Sequence, residues 1–300
     1  MNRREFAFGA MAMAVPGAAA KSGIGAASKY RIIDAQVHVW VNDPAYPWAT
    51  ATKDPPKEDR TPAMLLDLMK ANGVERTVVA QYIGYLWDNR YALASLKKYA
   101  PIFMGVCRVN PTDPAAPDQL SKLTEDGFHG VRISPAANAS GDWINGPLMP
   151  PLWMRCEALK VPMQVYTPIT RIPDLAHLIE QCPDLTVVID HMADCPVDQP
   201  AELNKLIALA RYPRVFVKIS HTWTVSRQAY PWLDAQEHVR RLYDAFGAQR
   251  LMWASDWPVD LGWTTYAQAL SVVRDDMKFL NADDKSWILS GTVQRVWPFA

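Results

Sequence analysis

From residue 31 onward, short apolar runs rich in β-branched residues alternate with longer stretches whose apolar positions recur every three or four residues. The first run, residues 31–40, reads Arg-Ile-Ile-Asp-Ala-Gln-Val-His-Val-Trp, and its first half has the character of a buried strand. Side chains on a strand alternate with period two, so Gln36 and His38 at its far end share a face. Further strands are predicted at 77–83, 102–109, 130–134, 162–166, 186–191, 215–221 and 251–256. Helices are predicted over 63–72, 88–99, 115–125, 152–159, 173–181, 201–210 and 235–246, with 265–279 and 283–290 closing the chain. Thr61-Pro62 has the form of a helix start, and Gly73 that of a C-cap.

Eight apolar strands joined by seven helical crossovers specify an α/β chain folded as a single (β/α)8 barrel over residues 29–300. An open doubly wound sheet is the competing arrangement. It usually has fewer strands and often a Gly-rich first turn, and no such turn follows the first strand here.

In each strand, the parity that places polar residues at the C-terminal end collects one set of groups at one mouth of the barrel. The set is Gln36 and His38, Gln81, Arg108 and Asn110, Arg132, Gln164 and Tyr166, His191, Lys218 and Ser220, and Asp256, with His221 just beyond strand seven. In strand six this parity puts Val187, Ile189 and His191 inward. Structural barrels fill such positions with aliphatic side chains, and barrel enzymes place their chemistry at this end.

Composition narrows the function. The 300 residues are 49% hydrophobic, enough for a large core, and 31 basic residues balance 31 acidic ones. A chain without net charge offers no electrostatic basis for binding nucleic acid or an anionic membrane. Of the 12 Trp, Trp40, Trp223 and Trp257 fall near strand ends, where rings can line a pocket; most of the others are expected between helices and barrel. The four Cys fit no zinc spacing, and Cys182 and Cys195 are candidates for a disulfide.

Residues 1–28 read as a leader. Asn2-Arg3-Arg4-Glu5-Phe6 resembles the twin-arginine export motif, residues 7–20 are small and apolar, and Ala18-Ala19-Ala20 offers a cleavage site. The expected location is therefore periplasmic.

Several stretches together resemble the amidohydrolase superfamily, in the branch that holds sugar-acid lactonases and 2-pyrone-4,6-dicarboxylate lactonase. They are Ile-Asp-Ala-Gln-Val-His-Val-Trp on strand one, Gly-Val-Arg on strand four, Ile-Asp-His at 189–191, Val-Lys-Ile-Ser at 217–220, Ala-Ser-Asp-Trp-Pro at 254–258 and Gly291-Thr292. The resemblance covers roughly residues 30–300 and implies a barrel hydrolase whose strand-eight aspartate activates water. It departs from the metal-binding pattern in two places. Gln36 stands where metal-binding members carry the first histidine of His-x-His, and no lysine or histidine on strands four and five matches a metal bridge.

The expected activity is hydrolysis of a lactone of a sugar acid or carboxylated ring. Asp256, His38 and His191 are the catalytic candidates: Asp256 is the general base, and the histidines polarise the ester carbonyl. Arg108 and Arg132 suit a substrate carboxylate, since guanidinium pairs with it bidentately, although each can equally form a salt bridge to an acid of the fold. Gln36, Tyr166, Lys218 and Ser220 complete the substrate-binding candidates, and Lys218 can alternatively pair with a carboxylate such as Asp256. The cofactor expectation is either none or one divalent ion, zinc or manganese, on His38, His191 and Asp256. The partner expected is a small carboxylated or hydroxylated lactone, with no nucleic acid or membrane, and the oligomeric state stays open. Two alternatives stand beside it: metal-dependent non-oxidative decarboxylation of an aromatic or unsaturated acid, which the resemblance to a sister branch of the same scaffold implies, and a non-catalytic binding protein.

Overall fold

Two parallel ladders, joined at both seams, make the barrel. In this computed structural model, which describes residues 29–134 and 144–299, the strands are β1 (Ile33–Val37), β2 (Arg76–Ala80), β3 (Phe103–Val106), β4 (Val131–Ile133), β5 (Met163–Val165), β6 (Val187–Ile189), β7 (Val215–Lys218) and β8 (Leu251–Met252). Strands β1 to β3 pair in sequence order, and so do β4 to β8. A parallel bridge between Cys107 and Val131 joins β3 to β4, and one between Val37 and Trp257 returns the chain beyond β8 to β1. The backbone bonds His38 N to Trp257 O (2.7 Å) and Asp256 N to Gln36 O (3.0 Å) seal that second seam. The (β/α)8 architecture expected from the sequence is present.

The helices are α1 (Pro62–Asn72), α2 (Arg90–Lys98), α3 (Ala116–Asp126), α4 (Met149–Leu159), α5 (Ala176–Gln181), α6 (Leu203–Ile207), α7 (Thr222–Val225), α8 (Leu233–Phe246), α9 (Tyr266–Ser271), α10 (Ala282–Ser286) and α11 (Thr292–Val296). In α1 the end signals act as their chemistry dictates. Thr61 caps the start by accepting from Met64 N, Pro62 occupies the first turn, and Gly73 ends the helix at φ 70°. The closing helices predicted as 265–279 and 283–290 are each interrupted by a π turn, at Val272–Asp276 and Trp287–Gly291. The short α7 lies outside any predicted helix. None of the helices is long and apolar enough to cross a membrane, among the described residues.

Two apolar layers result. Ile33, Ala35, Val106, Val188, Phe216 and Met252 belong to the cluster that fills the barrel. Val131, Ile133, Met163, Val187, Ile189 and Val217 belong to the larger cluster between barrel and helices. Membership in the two layers corrects the strand-six reading. Val188 points inward and Val187 and Ile189 outward, so the inward polar residue continuing that face is Asp190. The cysteines are a second correction: Cys107, Cys156, Cys182 and Cys195 are all buried and free, so Cys182 and Cys195 form no bridge. The leader at 1–28 lies outside the described residues.

Candidate active site

The site begins at an irregularity in β1. The register against β2 shifts between Asp34 and Val37. Before the shift, Ile33 and Ala35 fill the barrel; after it, Gln36 and His38 point to the mouth, where both reach Asp256. A bulge re-aims the strand in this way. Asp34 is left behind the site, where it accepts from Ser255 N (3.0 Å), Ser255 Oγ (2.6 Å) and Tyr266 OH (2.9 Å). Burial lifts its carboxyl to about 6 despite these donors. Asp34 thereby ties β1 to the segment that carries Asp256.

Three further groups arrive by left-handed backbone. His191, His221 and Asp256 have φ of 53°, 63° and 57°. They lie beyond the C-terminal ends of β6, β7 and β8, and the left-handed turn at each sets its side chain over the mouth. Such conformations cost non-glycine residues on the order of 1–3 kcal/mol each and concentrate at functional sites. His191 opens a run of four left-handed residues that ends at Asp194.

The three histidines of the mouth are held in one manner. His38 donates its Nδ1 proton to Ala80 O (2.7 Å), His191 Nδ1 meets Ser220 Oγ (2.7 Å), and His221 Nδ1 meets Asp194 Oδ1 (2.8 Å). Every Nε2 then faces Asp256: His38 at 3.2 Å, His191 at 3.9 Å and His221 at 3.0 Å. His221 lies between two carboxylates. Burial alone would lower its pKa, but Asp194 and Asp256 reverse that and hold it up to about 10, so it is an imidazolium at neutral pH. His191 stacks on it at 3.7 Å between centroids, and burial together with that charge pushes His191 down to about 3. Burial opposes the Asp256 charge, yet the surrounding histidines hold its carboxyl well below the usual range.

Beneath this layer sits a buried chain of polar contacts. Lys218 Nζ donates to Gln36 Oε1 (2.6 Å), and Gln36 Nε2 donates to Asp256 Oδ1 (2.5 Å) and approaches His191 Nε2 (3.2 Å). Lysine can only donate and a carboxylate only accept, so the Gln36 amide has one admissible orientation. Lys218 also meets Asp190 Oδ1 at 3.0 Å, and Arg132 Nε donates to Asp190 Oδ2 at 2.7 Å. Burial lowers Lys218 to about 8 against the pull of Asp190. Lys218 thus has Asp190, not Asp256, as its carboxylate partner, and Arg132 forms a salt bridge within the fold. Tyr166 OH donates to Asp194 Oδ2 (2.6 Å), which fixes the carboxylate that orients His221.

Of the sequence-based candidates, Gln36, His38, His191, Ser220, Lys218, Tyr166 and Asp256 are brought into one hydrogen-bonded assembly. Arg132 joins it through Asp190. Arg108 lies apart, just beyond β3, with Nη2 on Ser134 Oγ at 2.6 Å. Sequence reasoning noted His221 just beyond strand seven without giving it a role, and passed over Asp190 and Asp194. Among the described residues, His191, His221 and Asp256 offer ligand atoms within 4.8 Å of one another. Two imidazoles and a carboxylate suit zinc or manganese, and the Nδ1 partners of the histidines are of the kind that orient metal ligands. Those three residues fit one ion, with His221 in the place the sequence reading gave to His38.

The chain resembles known proteins over most of its length. Residues 33–299 match the protein-family model described as amidohydrolase. The chain is 33% identical to an L-fucono-1,5-lactonase of Burkholderia ambifaria over 76% of its length and 80% of that protein's. It is 26% identical to a 4-sulfomuconolactone hydrolase of Hydrogenophaga intermedia over 75% of its length and 74% of that protein's. A solved structure of a probable 2-pyrone-4,6-dicarboxylic acid hydrolase from Acinetobacter baumannii, with citric acid bound, superposes with a TM-score of 0.77 at 19% identity, covering 90% of this chain and all of that one.

Proposed function

The chain belongs to the amidohydrolase family, and we propose that it opens a lactone ring with water, using Asp256 as the general base. The observation that carries this reading is an ionised, buried carboxylate at the barrel mouth, with three histidine Nε2 atoms around it. Both curated relatives described above are named for hydrolysis of lactones or of a muconolactone.

Ester hydrolysis needs an activated water and a donor for the developing oxyanion. Water held at Asp256 attacks the ring carbonyl, and its proton passes to the carboxylate. The His221 imidazolium is the cationic group beside the reacting centre; its Nε2–H donates to Asp256 in the resting site and turns to the oxyanion once that carboxylate has taken the water's proton. Collapse of the tetrahedral intermediate breaks the ring C–O bond. The departing alkoxide takes the proton from Asp256, which regenerates the carboxylate and leaves a hydroxy acid. A bound divalent ion on His191, His221 and Asp256 would polarise the carbonyl and acidify water. A panel of lactones assayed by acid release at a pH-stat tests the reading; no turnover of any member would overturn it.

We further propose that the Arg3-Arg4 leader directs export to the periplasm, which the motif and the apolar run behind it support. Replacing both arginines with lysine should strand the precursor in the cytoplasm; unchanged export would contradict this.

A further inference from the structure

Beyond β2 the mouth position belongs to Tyr82, not to Gln81. Val78 and Ala80 lie in the cluster that fills the barrel, and Val79 in the outer one. Tyr82 is still extended, at φ −71° and ψ 135°, so the strand period brings it inward. Gln81 turns away, and its Nε2 donates to Asp88 O at 2.6 Å. The Tyr82 ring meets that of His38 edge-on, 5.8 Å between centroids.

That ring is clamped. It packs on Trp40 at 4.2 Å and against Trp48 at 6.1 Å. Both indoles are fixed in turn: Trp40 Nε1 donates to Glu58 O (2.8 Å) and Trp48 Nε1 to Asn42 Oδ1 (2.9 Å). The packing is close enough to require Gly84, since a Cβ there would stand 2.8 Å from Tyr82 Cε1 and 2.9 Å from Trp48 Cζ3. The hydroxyl, by contrast, is uncommitted. Tyr85, Tyr166 and Tyr266 use theirs within the fold, on Val41 O, Asp194 and Asp34. Tyr82 makes no such bond among the described residues. Burial and the Asp256 charge hold its hydroxyl up to about 12, so at neutral pH it keeps a proton to donate.

Position decides which substrate oxygen it serves. Asp256 Oδ1 lies 3.2 Å from His38 Nε2, and Oδ2 lies 3.0 Å from His221 Nε2. Tyr82 stands on the His38 flank, across the carboxylate from the imidazolium that turns to the carbonyl oxygen. A lactone carbon attacked above Asp256 carries a second oxygen that gains charge, the ring oxygen, and this one is left to the His38 flank. His38 has no proton to offer it, because its Nδ1 proton is on Ala80 O. We propose that Tyr82 is a further catalytic residue, whose hydroxyl donates to the ring oxygen as the C–O bond breaks. The proposal rests on the lactonase reading. Tyr82 keeps its own proton throughout: the departing alkoxide is protonated by Asp256, and the phenol stabilises its charge until then.

Leaving-group dependence tests it. Kinetics of the wild type and Tyr82→Phe are compared on two lactones of equal ring size, δ-valerolactone, which releases an alkoxide, and dihydrocoumarin, which releases a phenolate, with thermal melting to confirm folding. An alkoxide is the more basic leaving group and needs the donor more. Tyr82→Phe should therefore lower kcat/KM on δ-valerolactone by about 10- to 100-fold more than on dihydrocoumarin. A role in packing alone would lower both alike. Should Tyr82→Phe not fold, Gly84→Ala reads the same ratio, since it displaces the ring and keeps the hydroxyl; a selective loss on δ-valerolactone is again the expected result. Equal losses on the two lactones, no loss on δ-valerolactone, or wild-type activity confined to dihydrocoumarin overturns the donor alone. A wild type that opens no lactone overturns it together with the lactonase reading.

Discussion

Gln36 donates its amide N–H to Asp256 at 2.5 Å, at the position where a metal-binding relative of this scaffold would carry a histidine. Lys218 holds the other end of the amide, so the donor cannot turn away. Gln36→Glu preserves shape while replacing that donor with a carboxylate oxygen facing Asp256. A hydrogen bond to a charged group is worth about 1.5–3 kcal/mol, so kcat should fall by at least about tenfold. Steady-state kinetics on protein shown to be folded by circular dichroism checks this.

Removing Lys218 should act on stability first. Its ammonium, with 0% exposure, faces Asp190, and only Arg132 would remain to balance that carboxylate. Breaking a buried charge pair by deleting one partner costs about 3–5 kcal/mol. Lys218→Met should therefore lower the urea midpoint strongly without changing the slope of the transition. A midpoint equal to that of the wild type would show that the pair contributes nothing.

The pH dependence of stability follows from His221. Its folded pKa, about 10, lies above the ordinary value of 6.5. The folded state therefore binds the proton more tightly, and the stabilisation is fully present below about pH 6.5. It declines as pH rises and is lost once the folded pKa is passed. His221→Gln should flatten the fall in melting temperature between pH 7 and 10 relative to the wild type.

Metal binding competes with the same proton. An ion on His191, His221 and Asp256 must displace the His221 proton and the Gln36 amide, so affinity for zinc should rise with pH. Since those two donors already serve Asp256, activity should survive dialysis against a chelator, with residual metal followed by elemental analysis. Loss of activity that added zinc restores would contradict this.

The barrel was legible in the sequence because its strands are apolar runs at regular spacing, and Thr61, Pro62 and Gly73 mark helix ends by chemistry that needs no tertiary context. The site was legible where the strand period continued to the mouth, as at Lys218, which ends β7, and Ser220 just beyond it. It was obscured where backbone geometry breaks that period. Gln36 and His38 were placed correctly, although the β1 bulge means that Ile33 and Ala35, on the other parity, fill the barrel below them. Past the end of β6 the assumed period hid Asp190, and His191 arrives only through φ 53°. His221, one residue past Ser220, reads as outward by alternation and is turned in by φ 63°. A histidine or aspartate immediately after an inward polar residue at a strand's C-terminal end was the available signal.

Turnover of Asp256→Asn tests the central claim most directly. The substitution keeps the side-chain volume and removes the base, and its effect can be read at a pH-stat on the best lactone found for the wild type. Loss of a general base typically costs about 10²–10⁴-fold. The account predicts a fall of that size in kcat, with a cooperative thermal transition retained. A kcat per folded molecule within about threefold of the wild type, outside the range that loss of a base produces, would contradict it.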